Sequence, residues 1–257
     1  MTVIGRERIR AAVKTDLPFI HRWLELEARG RRGFIHNWHL IEKALGEGEM
    51  TVFTDAEGAV GFLTYGISPS SILQVRSDRQ GQCIGRELVE DAIRREEALN
   101  NAVLVVECEP NSSVEFWARM GFEVHRHTGY SGYQGPVYMQ RLSKIPHESV
   151  RGDELEMISI HVYSSSVLFS DSGKGTPDRV YYTMARLNYK KRTLELARRV
   201  SVADEPMLRD PVVEICWGGQ IFMGKAKHQA AATIGLKRTP NHHGWYLDVI
   251  NLPDDWP

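Results

Sequence analysis

Cysteine is scarce in this sequence. Three occur in 257 residues (Cys83, Cys108 and Cys216), with no C-x-x-C pair and an odd total. That fits a reducing compartment better than a disulfide framework, so a cytoplasmic protein is expected. Long apolar runs are missing too. No segment approaches the ~20 residues of a membrane span, so no membrane partner is expected. Residues Met1 to Arg10 carry three arginines and no apolar stretch, which does not read as a secretory signal. Charge of one sign is likewise absent. The first 142 residues (17 basic, 19 acidic) and the remainder (15 basic, 14 acidic) are each near neutral. Neither half has the basic excess expected where phosphate contacts dominate binding, so charge gives no ground for a nucleic-acid partner.

What is present is enough apolar content for one large domain or two of ordinary size. The first half alternates strand and helix signals. Ile9 to Val13 is a strand candidate. Asp16 is placed as the N-cap of a helix with Pro18 in its first turn, and Phe19, Ile20, Trp23, Leu24 and Leu26 recur at helical spacing until Gly30. A second helix is predicted from Trp38 to Leu45, ending at Gly46. Met50–Thr54 and Ala59–Tyr65 read as antiparallel strands joined by the turn Asp55-Ala56-Glu57-Gly58. The strand Ile72–Val75, a helix from Gly85 to about Leu99 and a strand from Ala102 to Val106 follow. A helix over Ser112–Met120 and strands near Phe122–His125 and Val137–Leu142 complete this half.

The most informative stretch is 72–122. The strand Ile72-Leu73-Gln74-Val75 runs through the turn Arg79-Gln80-Gly81-Gln82-Cys83-Ile84-Gly85 into an amphipathic helix. Such a strand–loop–helix presents free N–H groups at a positive helix end, a ready site for phosphate. The stretch closes with Phe116-Trp117-Ala118-Arg119-Met120-Gly121-Phe122. Together the two motifs and the element order βααββ–βαβαββ resemble the acyl-CoA-binding core of the GCN5-related N-acetyltransferase (GNAT) superfamily, over roughly residues 6–142. The resemblance implies an α/β (α+β) GNAT fold with a mixed, mostly antiparallel central sheet. It also implies acetyl-CoA as acyl donor and a small-molecule amine or a peptide or protein as acceptor. By it, the amides of Gln82, Cys83, Ile84, Gly85 and Arg86, next to Gly81, hold the pyrophosphate, with side-chain contacts from Gln80 and Arg86. Val75 is the donor to the thioester carbonyl. Cys83 stands where the family pattern has its first glycine, and a Cβ there restricts φ. Trp117 stands where many members carry a tyrosine near the CoA sulfur, and an indole cannot act as a general acid. Asn111 lies one residue nearer the Gly-Phe pair than the family asparagine.

Amine acetylation needs a base to deprotonate the acceptor and a donor for the leaving thiolate. Glu107 and Glu109, at the end of the second motif strand, are the base candidates, with exposed strand-end charges as the alternative. Tyr130, Tyr133 and Tyr138 are candidate proton donors. Trp23, Phe34, His36, Trp38 and His39 suit an acceptor pocket for a hydrophobic amine, or else a packed helix pair. A non-catalytic acyl-CoA sensor also fits the departures at Cys83 and Trp117. An enzyme acting on a protein or an aminoacyl-tRNA, docked by the C-terminal half, fits as well.

Residues 143–153 read as a linker, and 154–257 as a smaller β-rich domain of unassigned role that shapes the acceptor site, pairs two copies of the chain or binds a partner. Val212–Trp217 and Gln220–Met223 flank Gly218-Gly219, a hairpin signal. Lys190–Val202 has mixed periodicity and fits strand or helix. Gly173-Lys174-Gly175-Thr176 lacks the Walker pattern. Cys216, His228, His242 and His243 do not fall at zinc spacings, so no metal is expected.

Overall fold

The structure, a computed structural model, describes residues 8–30, 33–124, 135–146, 150, 154–164, 175–204, 211–225 and 229–254. Tyr130, Tyr133, Gly173, Lys174 and His228 lie outside the described residues. The N-terminal half runs β1 (Ile9–Ala11), α1 (Leu17–Ala28), α2 (Trp38–Gly46), β2 (Met50–Asp55), β3 (Gly58–Thr64) and β4 (Leu73–Val75). It continues with α3 (Ile84–Ala98), β5 (Val103–Cys108), α4 (Val114–Arg119), β6 (Glu123–Val124) and β7 (Val137–Leu142). The order of elements, βααββ then βαβαββ, is the one predicted from the sequence. The strands form an antiparallel sheet β1-β2-β3-β4 and a second sheet in the order β5-β7-β6.

The chain clusters into two compact units that interleave in sequence. One gathers the residues up to 98 with 105–122 and 136–139; the other takes 99–104, 123–135 and 140 onward. In the first unit, α1 buries Ile20, Trp23 and Leu24, at the i, i+3, i+4 spacing of a one-sided helix, while Phe19 and Leu26 face solvent. Together with Ile41, Val52 and Phe62 these side chains form the core under α1 and α2.

Asp16 does not cap α1 as its position suggests. It closes a 3₁₀ turn (Lys14–Asp16) instead, accepting the Val13 N–H at 2.8 Å and both Arg10 guanidinium nitrogens at 2.8 and 2.7 Å. The nearby arginine and the short Val13 reach turn the carboxylate back toward β1 rather than forward onto the helix.

The second unit holds β8 (Glu156–Tyr163), β9 (Arg179–Asn188), β10 (Thr193–Ala203), β11 (Val212–Trp217), β12 (Gln220–Lys225), a short α5 (Gln229–Thr233), β13 (Lys237–Arg238) and β14 (Gly244–Asn251). They make one antiparallel sheet in the order β12-β11-β8-β9-β10-β14-β13. Gly218 and Gly219 both take positive φ (55° and 78°), the two-residue turn that the Gly-Gly pair signals. Ile158, Ile160, Val213, Ile215, Leu194 and Leu247 line the buried face. Of Lys190–Val202, the start is a turn and the part from Thr193 onward is strand β10. Its second half is buried on both faces: Val200 and Val202 enter the sheet core, while Arg199 and Ser201 are covered on the other side. Arg199 there reaches Asp248 at 2.8 and 2.7 Å and Asn100 at 3.0 Å, and Ser201 donates to the Ser143 carbonyl at 2.9 Å. Double burial erases the alternation that marks a half-exposed strand. No helix among the described residues is long and apolar enough to cross a membrane.

Burial alone would raise the Asp16 carboxyl, but the Arg10 guanidinium and the Val13 N–H outweigh it and hold the group below its usual range. A depressed folded-state value means that the contribution to stability is complete above the unfolded value of about 3.9 and is lost as pH falls through the folded value. Asp16→Asn therefore lowers the thermal midpoint at neutral pH, and the gap to the wild type closes in acid, as thermal melts across the pH range will record.

Candidate functional site

The register of β4 decides what its end offers. Val75 lies opposite Gly61 and Leu73 opposite Leu63. The Arg76 N–H donates to the Val60 carbonyl at 2.9 Å and the Thr64 N–H to the Ile72 carbonyl at 3.1 Å. Both opposed pairs are thus of the non-hydrogen-bonded kind, whose own N–H and C=O groups point away from the partner strand. The Val75 N–H is turned to the open side of β4, which is the edge of its sheet. β5 is likewise an edge of its own sheet.

The loop after β4 reaches α3 through two left-handed residues, Gly81 (φ 76°) and Cys83 (φ 62°). The first helical bond is Glu87 N–H to the Cys83 carbonyl at 3.0 Å. The amides of Ile84, Gly85 and Arg86 precede it and have no intrahelical acceptor, and the fifteen-residue helix adds its positive end. A Cβ at Gly81 would meet nothing within 4 Å, and one at Gly85 would sit 3.6 Å from both the Phe116 ring and Val75 Cγ2. The loop's floor is therefore close-packed and its mouth is open.

Side chains expected to reach a pyrophosphate are engaged within the protein. Gln80 Nε2 donates to the Val75 carbonyl at 3.1 Å, Gln82 Nε2 lies 3.4 Å from the Asp78 carbonyl, and Arg86 pairs with Glu90 at 2.7 Å along the helix. Sequence reasoning missed the two arginines that set the loop. Arg76 binds Glu57 at 2.7 Å and Asp78 at 2.6 Å. Arg79 binds Asp55 at 3.2 Å and also Glu57. They tie the loop to the β2–β3 turn. The signal was there in the acidic turn Asp55-Ala56-Glu57, which needs cationic neighbours.

Trp117 is buried, in edge-to-face contact with Phe116 and Phe122 at centroid distances of 5.3 and 5.1 Å. Phe116 is the residue of the second motif that meets the loop, through Gly85. Asn111 is exposed, in a 3₁₀ turn (Asn111–Ser113) ahead of α4. Glu107 is half-buried on β5, Glu109 is exposed just beyond it, and Tyr138 is half-buried on β7. Between the two glutamates, burial pushes the Cys108 thiol up.

Of the residues expected in an acceptor pocket or a packed helix pair, Trp23 is core, donating its indole N–H to the Ala59 carbonyl at 3.1 Å, while Phe34 and Trp38 are half-buried against the same cluster and His36 and His39 are exposed. A polar hub joins this region to β4. The buried Gln74 accepts the Phe34 N–H at 2.9 Å and donates to Glu27 at 2.6 Å, and Glu27 also accepts the Ser77 N–H at 2.6 Å.

No family model matches the sequence, and no curated protein matches it. Similarity appears among solved structures. Half of this chain is similar to GNAT acetyltransferases. A ribosomal-protein-alanine N-acetyltransferase from Brucella melitensis is 21% identical over 52% of this chain and 99% of that one, with a TM-score of 0.39. A GNAT phosphinothricin acetyltransferase from Sinorhizobium meliloti, solved with acetyl-CoA, is 20% identical over 52% and 86%, TM-score 0.39. The PaiA N-acetyltransferase of Thermoplasma acidophilum, solved with coenzyme A, is 16% identical over 52% and 98%, TM-score 0.40.

A non-glycine residue held left-handed costs roughly 1–2 kcal/mol, partly offset by the chain entropy a glycine would lose. Cys83→Gly is expected to stabilise the first unit by roughly 0.5–1 kcal/mol, read as a higher urea midpoint at unchanged slope.

Proposed function

We propose that the N-terminal half, residues 1–142, is an N-acetyltransferase that takes acetyl-CoA as donor and a primary amine, on a small molecule or a peptide, as acceptor. The observation that carries it is the Val75 N–H facing the open edge of β4 beside the unpaired amides of the α3 first turn. Those amides and the helix end would bind the diphosphate, and the Val75 N–H would hold the thioester carbonyl oxygen as charge develops on it. Glu107 or Glu109 would take the ammonium proton, leaving a neutral amine. The amine nitrogen attacks the carbonyl carbon, the C–S bond breaks, and the thiolate leaves with a proton that Tyr138 can supply. Positioning both reactants accounts for much of such a rate. The cysteine usage supports a cytoplasmic setting.

A second reading, an acyl-CoA sensor without turnover, is favoured by Trp117, which fills the core where a proton donor would be needed. Calorimetry with acetyl-CoA and a thiol-release assay on an amine panel separate the two: binding without release on every acceptor selects the sensor, and no binding removes both.

Gly85→Glu sets a negative charge against the diphosphate at the close-packed floor of the loop, and circular dichroism checks that the variant folds. Acetyl-CoA affinity should fall at least tenfold, about 1.4 kcal/mol. Of Glu107→Gln and Glu109→Gln, the substitution that removes the base should lower kcat by roughly 100-fold or more, with the other near wild type.

A further inference from the structure

We propose that His161, Glu214 and Cys216 bind a zinc ion on the seven-stranded sheet of the second unit. His161 and Glu214 are directly opposed across β8 and β11, and Cys216 lies two positions along β11 from Glu214. All three side chains therefore share one face, the one opposite the apolar core. One ligand atom from each lies within 4.8 Å of the others.

Two edges of the cluster have the lengths of a zinc coordination polyhedron. Zinc takes nitrogen and oxygen at about 2.0–2.2 Å and thiolate sulfur at about 2.3 Å. Tetrahedral angles then put N and O about 3.4 Å apart, and S and O about 3.6 Å apart. His161 Nδ1 is 3.3 Å from Glu214 Oε1, and Cys216 Sγ is 3.8 Å from the same oxygen. Imidazole, carboxylate and thiolate together suit zinc rather than magnesium or calcium, which take oxygen alone. Glu214 is 2% exposed, unlike the solvated carboxylates that gather on surfaces without an ion. The Tyr163 hydroxyl donates to Glu214 Oε1 at 3.4 Å and so helps to orient that ligand. His161 and Cys216 are only half-buried, which leaves a fourth position open to water or a small anion.

The same residue types could instead form a cysteine nucleophile with a histidine base. That arrangement needs the imidazole between thiol and carboxylate. Here the carboxylate is in the middle, approached by both the thiol and the imidazole, so the cluster is built to share a cation. Exposed Met157, Tyr182, Ile221 and Met223 lie on the same sheet face by register, so the site has an apolar rim.

The experiment uses the full chain, stripped with a chelator and titrated with cobalt(II) as a spectroscopic stand-in, then with zinc. One equivalent should bind, giving the visible bands of a tetrahedral ion and a thiolate-to-cobalt charge-transfer band, and zinc should abolish both. Cys216→Ser should lose the charge-transfer band while Cys83→Ser keeps it. His161→Ala should weaken zinc binding by more than the roughly 10- to 100-fold that loss of an outer-shell partner costs. Wild-type protein that binds no stoichiometric ion, or binds one without a thiolate band, overturns the proposal even if the variants fail to fold. So does a thiolate band that persists in folded Cys216→Ser. None of these readouts depends on acetyl transfer.

Discussion

Helix α3 rests on the sheet through a gap left by a missing side chain. A Cβ at Gly61 would lie 3.1 Å from Ile84 Cγ2 and 3.4 Å from both Leu88 Cδ1 and Val75 Cγ2, tighter than a packed interior allows without displacement. The bare backbone of β3 lets Ile84 and Leu88 settle beside Phe53 and Val60. Each such fully buried side chain contributes about 1.5–3 kcal/mol. That anchoring fixes the first turn of the helix at the end of β4. The free amides of one element and the outward N–H of another are consequently held together by packing that neither supplies alone.

A cradle made of main-chain groups tolerates changes in side chains. Cys83 keeps the left-handed turn at a cost, and Trp117 serves the core, yet the amide geometry of the loop stands. The nearby arginines are occupied with carboxylates of the β2–β3 turn and act as struts that fix the loop.

Much of the N-terminal half was legible in the sequence because its signals are local. Asp55-Ala56-Glu57-Gly58 specifies a hairpin, Gly81 and Gly85 punctuate the loop, and the spacing of Ile84, Leu88 and Ala92 gives α3 its buried face. What escaped is non-local. Asp16 is drawn from its helix by an arginine six residues back. β10 hides its period because contacts from residues 100 and 143 cover its second face. Cys216 finds its neighbours across a strand pairing, where spacing along the chain carries no information. The short strand β13 and helix α5 are too brief for any periodic pattern to declare them.

Gln74 carries a consequence of another sort. Its carboxamide bonds to the segment between the first two helices, and the carboxylate it shares also grips the start of the loop leading to α3. A displacement of the segment ahead of α2 must therefore break or drag bonds at the start of the loop that leads to α3, so the two segments are mechanically geared.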